Sequence, residues 1–375
     1  MNKKVLIAMD SFKGTFSSYD INNLVKKELI EKYNNIDVDC INIADGGEGS
    51  VDALIGAING EIKHVSVMGP YKDIIDSYYG IGTLNGRRIA IIEVASVVGF
   101  QFKKENNDPG SVYTNGIGEL IEIAIDDGAK DIYICLGGSI SNDAGSGIAC
   151  ALGVKFLNET KNEILPTGKT LKNIRYIDIS NINKKLSKAN LYCLCDVTNP
   201  LFGPKGASYV FAKQKGAKEE ELGELDLNLK YYHNLCVKEL GINCEESNTE
   251  GTGAAGGICY SLYVLLGAKI LSGIKTILKI NNIEEKIKNS DFVITGEGKL
   301  DSQSFDGKVI SEVSKLANKY NKKLIGIFGC SEVKEYPGID IIPLFDIDDK
   351  CKDKDYLISN TPKRVKEKIR DYKLL

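Results

Sequence analysis

Six short segments of this 375-residue chain carry Asp or Glu, five of them with Gly and two with Lys, and five of the six directly follow apolar runs. They are MDSFKG from Met9, ADGGEGS from Ala44, LGGSISNDAG from Leu136, CDVTNP from Cys195, TEGTGAAGG from Thr249 and TGEGKLDSQS from Thr295. Taken singly, such residues are ordinary at strand-to-helix turns, because Asp caps helices and Gly permits positive φ. Their recurrence at so many strand ends points instead to loops that share one polar site. Carboxylates there could hold magnesium or take a hydroxyl proton, while lysine and glycine amides neutralise a migrating phosphate, which is what phosphoryl transfer requires. Lys13, four residues past the run VLIAM, is expected to meet a phosphate oxygen; its plainer reading is an exposed turn lysine. Asp45, Glu48, Asp196, Glu297 and Asp301 are candidate bases or magnesium holders. Asp196 stands out because it ends the run LYCLC and precedes the stiff Thr198-Asn199-Pro200, with an N-cap as its rival role.

The segment from Ile132 to Gly147, IYICLGGSISNDAGSG, reads as a strand that delivers a glycine-rich loop to the start of a helix. That junction suits an anion, since glycines let amides curl inward and the helix start adds a positive end. It matches neither the Walker pattern nor the dinucleotide G-x-G-x-x-G. Gly137, Gly138 and Ser139 are the expected phosphate cradle, with Asn142 beside them and Asp143 as a cap or loop-former. Ser11, Gly46, Gly47, Asn199, Gly253 and Gly296 complete the groups these loops could offer to substrate or phosphate. Lys205, Lys213 and Lys215 surround GPKGASYVFAKQKGA, where either an anion or solvent could be their partner. Arg87 and Arg88 read as solvated turn charges.

Charge is balanced, 48 Lys plus Arg against 51 Asp plus Glu, so nothing favours nucleic acid or a membrane surface as a partner. No apolar stretch reaches the roughly 18 to 20 residues that span a bilayer. Ten cysteines, most within apolar runs and none in a C-x-x-C pair, predict reduced thiols and a cytoplasmic location. The two histidines, His64 and His233, lie far from Cys or acidic clusters, which argues against zinc and against a histidine triad. A homodimer is compatible with the pattern, which fixes no oligomeric state.

The length predicts two domains. Strand-like runs at 5–9, 38–43, 292–295, 324–328 and 339–344 alternate with helical patterns. They predict a flavodoxin-like, doubly wound parallel sheet built from residues 1–66 and 286–375. Residues 67–285 then form a large inserted α/β domain with a mixed sheet, announced by the runs at 62–67, 74–81 and 88–94. A long amphipathic helix is expected over 218–238. The lysine-rich tail from Lys350 to Lys373 is expected as a solvated helix.

The segments IAMDSFKGTFSS, IADGGEGS, GGSISNDAG, CDVTNPLFGPKGAS, KQKGA, GTGAAGG and VITGEGKLDSQS together resemble bacterial glycerate kinases of type I, the glycerate 2-kinase family. The likeness runs from Ile7 to about Gly329. It implies transfer of the γ-phosphoryl group of ATP to D-glycerate, giving 2-phosphoglycerate with Mg2+ in organic acid catabolism, and two α/β domains with the active site in the cleft between them. Asp196 or Asp45 would then deprotonate the glycerate hydroxyl while Lys13 neutralises the phosphate. Met9, Ser141, Ala144 and Lys299 stand where the family usually has Pro, Thr, Gly and Arg. Rival readings are a kinase for the 3-hydroxyl of glycerate or for another small hydroxy acid, and a regulatory module that binds a sugar acid or nucleotide without turnover.

Overall fold

The computed structural model describes residues 2–305, 308–347 and 353–374, which fall into two compact units. One comprises residues 1–45, 52–57 and 274–375; the other comprises 46–51 and 58–273.

The first unit carries a five-stranded parallel sheet. Numbered along the chain, its strands Lys3–Ile7, Ile36–Cys40, Phe292–Leu300, Lys323–Ser331 and Ile339–Pro343 lie in the order 2-1-3-4-5, the flavodoxin-like arrangement. Alternation along each strand supplies both faces. Val5, Ile7 and Met9 pack with Ile21, Val25 and Leu29 of the helix Ser18–Lys32 and with Val365 and Ile369 of the helix Lys354–Asp371. Leu6 and Ala8 point the other way, toward Ile274, Leu278, Val309 and Val313. Each such buried aliphatic side chain stabilises the fold by roughly 1.5–3 kcal/mol. The tail helix is therefore not simply solvated: one face enters this core, and Lys32 Nζ caps it through the carbonyls of Ile369, Arg370 and Tyr372. Lys350 lies outside the described residues.

The second unit is built on a six-stranded mixed sheet in the order Lys269–Leu271, Asn190–Leu194, Asp131–Cys135, Arg87–Glu93, Ile74–Leu84, Glu61–Met68, in which the last two strands run antiparallel to their neighbours. Helix Asn115–Asp126 covers it with Ile117, Leu120, Ile121 and Ala124. A small antiparallel sheet of Lys155–Leu157, Glu163–Ile164 and Tyr176–Asp178 was not expected from sequence, its strands being too short to show a period. The long helix spans Leu222–Leu240 and ends on Gly241.

Three details differ from expectation. Residues 46–51, with Gly46, Gly47 and Glu48, and residues 58–66 belong with the second unit, the latter because Glu61–Met68 pairs along its whole length with Ile74–Leu84. Residues 274–285 belong with the first, because Ile274, Leu278 and Ile283 enter its core. Arg87 is no loose turn charge; its Nε and Nη2 fork the buried Asp131 carboxylate at 2.5 and 3.0 Å.

Candidate active site

In a sheet of order 2-1-3-4-5, ligands bind beyond the carboxyl ends of strands 1 and 3, where the winding reverses. Here those ends deliver Asp10 and Glu297. The Asp10 amide donates to the Gly296 carbonyl at 2.9 Å, continuing the pairing of strands 1 and 3 to the point where the loop leaves. Gly296 and Glu297 lie within the strand Phe292–Leu300, which extends past the Thr295 expected as its end, so Glu297 projects from sheet and not from a loop. After Asp10 the chain makes a tight turn, closed by Phe12 amide to Phe16 carbonyl at 2.9 Å, with Phe12 buried as its anchor and Lys13 near the tip.

The helix Ser18–Lys32 fixes this loop from below. Ser17 caps it by accepting from the Asp20 amide. At the helix's first residue, the Ser18 hydroxyl donates to the Met9 carbonyl at 2.6 Å and accepts from the Ile43 amide at 2.9 Å. Asn22, fully buried and four residues on, accepts from the Met9 amide at 3.2 Å and donates to the Ile41 carbonyl at 2.9 Å. Two side chains on one helix face thereby clamp the segments that present Asp10 and Asp45.

Lys13 Nζ sits 2.6 Å from Asp45 Oδ2, with 73% of its side chain exposed. Partial burial disfavours its charge, but Asp45, with Asp10 and Glu297 behind it, holds its pKa above the usual value. Asp10 is only 7% exposed. Burial first, then the nearby Asp45 charge, pushes its pKa up to about 7, against the opposing pull of Lys13 and of the Ser11 amide at 2.7 Å. Burial likewise raises the Glu297 pKa, although Ser304, Lys308 and Lys13 work the other way. Glu297 Oε1 is buried with no hydrogen-bond partner. These groups, with Ser11 and Asp301, line a cavity of about 330 Å3. Lys299 lines it too but spends its charge on Glu332, 2.6 Å away. Among the described residues no three His, Cys, Asp or Glu are spaced to hold a metal by themselves. Glu297 and Asp301 would nonetheless fit a magnesium ion, because one or two carboxylates suffice to hold it and Glu297 Oε1 is a buried acceptor left without a donor.

The second unit holds the other expected residues. Gly137 and Gly47 approach so closely that a Cβ on Gly137 would lie 2.6 Å from Gly47 Cα, and the Gly137 amide meets the Gly46 carbonyl at 3.4 Å. Glu48 is exposed in the turn that follows. Gly138 is exposed with φ +79°, and Ser139 lies just beneath, paired with Gly99. Asn142 is fully buried, its Nδ2 on Ser208 Oγ at 3.1 Å. Asn199 and Gly253 lie together: the Gly253 amide donates to the Asn199 carbonyl, and Asn199 Nδ2 donates to the Lys205 carbonyl. Asp196 is exposed and accepts from Ser272 Oγ at 2.7 Å.

One expectation fails here. The helix after this loop, Ser146–Ala151, has no vacant N-terminus for an anion, because Asp143 occupies it, accepting from the Gly145 and Gly147 amides at 3.0 and 3.3 Å and from Thr114 at 2.6 Å. Asp143 is thus a loop-former, as its position suggested. Two residues were under-read from sequence. Asp10 was not singled out among the candidates, although an acid directly after the apolar run VLIAM is a signal in itself. Lys215, offered as either an anion partner or solvated, is 3% exposed, and its Nζ donates to Ser139 Oγ at 3.0 Å and to the Ser141 carbonyl at 2.7 Å. Lys213 pairs with Glu219.

Among the described residues the cysteines are free, and no helix is long and apolar enough to cross a membrane. Residues 5–373 match the glycerate kinase family. The glycerate 2-kinase of Escherichia coli K12 is 39% identical over 327 residues, covering 87% of this chain and 85% of that protein. A glycerate kinase of Halalkalibacterium halodurans is 38% identical over 326 residues, with the same coverage of each. A solved structure from Salmonella typhimurium LT2, described as that of a glycerate kinase 2, superposes with a TM-score of 0.82 at 35% identity and covers 99% of both chains.

Proposed function

The chain belongs to the glycerate kinase family and is a phosphotransferase; from that premise we propose that it transfers the γ-phosphoryl group of ATP to the 2-hydroxyl of D-glycerate. The 2-position rests on the name of the Escherichia coli relative. The observation that carries the chemistry is the set of Asp10, Lys13, Asp45 and Glu297 around one cavity at the winding reversal of the parallel sheet.

In the transfer, the 2-hydroxyl oxygen bonds to phosphorus as the bond from phosphorus to the bridging oxygen breaks. The hydroxyl proton passes to a carboxylate, and the bonding electrons leave with ADP. Lys13 is exposed enough to exchange Asp45 for a phosphate oxygen and offset its charge during transfer. Asp10 is the best placed proton acceptor in this unit, since it is buried against the cavity and not tied to Lys13, whereas Asp45 holds the lysine in readiness. Asp196 is the candidate in the other unit. Glu297 and Asp301 would hold Mg2+, with Glu48 as a further candidate. Bound there, the ion would supply positive charge to the phosphates. The Gly137–Ser139 loop, with Gly46 and Gly47, offers amides to a carboxylate or phosphate.

Reduced thiols and a place in the cytoplasm, in organic acid catabolism, belong to the same reading. The test is an ATP assay across small hydroxy acids, with and without magnesium and coupled to enolase, which accepts 2-phosphoglycerate directly. ADP release on D-glycerate without enolase coupling would move the product to the 3-position. No ADP release with any hydroxy acid would end the proposal.

A further inference from the structure

Lys215 poses an energetic problem. An ammonium group in a dry interior is costly unless paired, and among the described residues this one has no carboxylate within ion-pair distance. The segment that carries it is firmly docked. Asn107 Nδ2 donates to the Lys215 carbonyl at 2.6 Å, and a Cβ on Gly216 would strike the Asn107 carbonyl at 2.2 Å. The backbone is thereby fixed, and the side chain is 3% exposed. It ends under the Gly137–Ser141 loop, whose far edge is pinned by the Ile140 amide on the Val98 carbonyl at 2.8 Å.

The contact with Ser139 fixes the polarity of that hydroxyl. Because Ser139 Oγ accepts from Lys215 Nζ, its own proton must be donated elsewhere, and beside it lies Gly138, exposed in the left-handed conformation. The loop thus presents a hydroxyl oriented as donor with a cation directly behind it.

We propose that Lys215 is the buried counter-charge for an anionic group, carboxylate or phosphate, bound at the Gly137–Ser139 loop, and that it acts through Ser139 as a positioning residue. This deepens the kinase reading and rests on it only for which anions are present. The charged group facing Lys215 is Asp143; the neighbouring Ser139, Ser141 and Asn107 are neutral, and the Lys103 ammonium is turned to the Gln214 carbonyl. Burial pushes the Lys215 pKa down to about 7, and Asp143 only partly opposes it. An anion arriving at the loop adds a second opposing charge and raises that pKa. Above pH 7, binding must then draw a proton from solution, and affinity must fall as pH rises.

Calorimetric titration at pH 8 in two buffers of different ionisation enthalpy reads this directly. D-Glycerate, inorganic phosphate and magnesium-free ATP form separate arms that identify the anion. The wild-type protein should take up a fraction of a proton with at least one of them. Lys215→Met should weaken that ligand by about tenfold or more and abolish the uptake. Lys215→Arg, permanently charged, should bind without uptake. If Lys215→Met does not fold, Ser139→Ala carries the same expectation of weaker binding and reduced uptake. A Lys215→Met protein with lowered Tm but unchanged Kd and proton count would overturn the proposal, leaving only a structural brace. So would a wild type that binds every anion without proton uptake. Proton-linked binding without phosphoryl transfer would instead sink the kinase assignment and leave this one standing.

Discussion

Asp10 and Lys13 sit three residues apart yet should respond to substitution in opposite ways. Lys13 is largely exposed and its pairing with Asp45 is a surface contact, so Lys13→Met should change stability by less than about 1 kcal/mol. Its activity should fall by about 100-fold to 1000-fold, mostly in kcat, because a cation aimed at developing charge acts in the transition state. Circular dichroism with steady-state kinetics separates the two effects; a loss confined to KM would reassign Lys13 to ground-state binding. Asp10 is the reverse case. Its folded pKa of about 7 exceeds the ordinary value of 3.8, so the folded protein binds the extra proton. The fold is therefore least penalised below about pH 4, loses stability as pH rises toward 7, and carries the full cost above that. Asp10→Asn keeps the oxygen that accepts from the Ser11 amide and removes the charge. At pH 8 it should raise Tm by a few degrees while lowering kcat, a stability gain at the expense of function. Equal Tm values for the two proteins at pH 8 would contradict the burial argument. Neither contrast was visible in the string MDSFKG, because burial depends on which strand lies alongside.

At the scale of elements, the clamp formed by Ser18 and Asn22 determines how firmly the site loops are held. Asn22→Leu would leave the Met9 amide and the Ile41 carbonyl buried without partners, at a cost of about 1–3 kcal/mol for each group. Urea denaturation measures that cost. kcat should fall as well, since Asp10 follows Met9 directly; full activity in a destabilised variant would show that the loop holds its shape unaided. The continuous apolar runs of the three inner strands Lys3–Ile7, Phe292–Leu300 and Lys323–Ser331 were readable because those strands bury consecutive residues on both faces. Elements governed by pairing were not. The run at 62–67 announced the mixed sheet, but the expected domain boundary fell too late, because only the pairing of Ile74–Leu84 back onto Glu61–Met68 shows that the whole strand belongs there. Helix Ala254–Val264 hides behind TEGTGAAGG because its first turn carries Ala255, Gly256 and Gly257 at positive φ.

The whole molecule has two sets of core residues that do not overlap: one on the faces of the parallel sheet, the other around the mixed sheet and the helix Leu222–Leu240. Separate cores imply separate cooperative units, each with its own free energy of opening. Gly256 gives a way to test this. At φ +70° a Cβ would lie 2.0 Å from the Ser141 carbonyl, and the Gly256 carbonyl accepts from the Ala144 amide, itself held at φ +56°. Gly256→Ala must therefore push the Gly137–Ala144 segment away and strain a left-handed residue, costing more than about 2 kcal/mol. Hydrogen exchange resolves where that cost appears. Amides in Asp131–Cys135 and Asn190–Leu194 should lose protection, while those in Lys3–Ile7 and Lys323–Ser331 keep theirs. Equal loss in both sets would mean that the chain opens as one unit, and that strain in the glycine-rich loop is felt as far as Asp10.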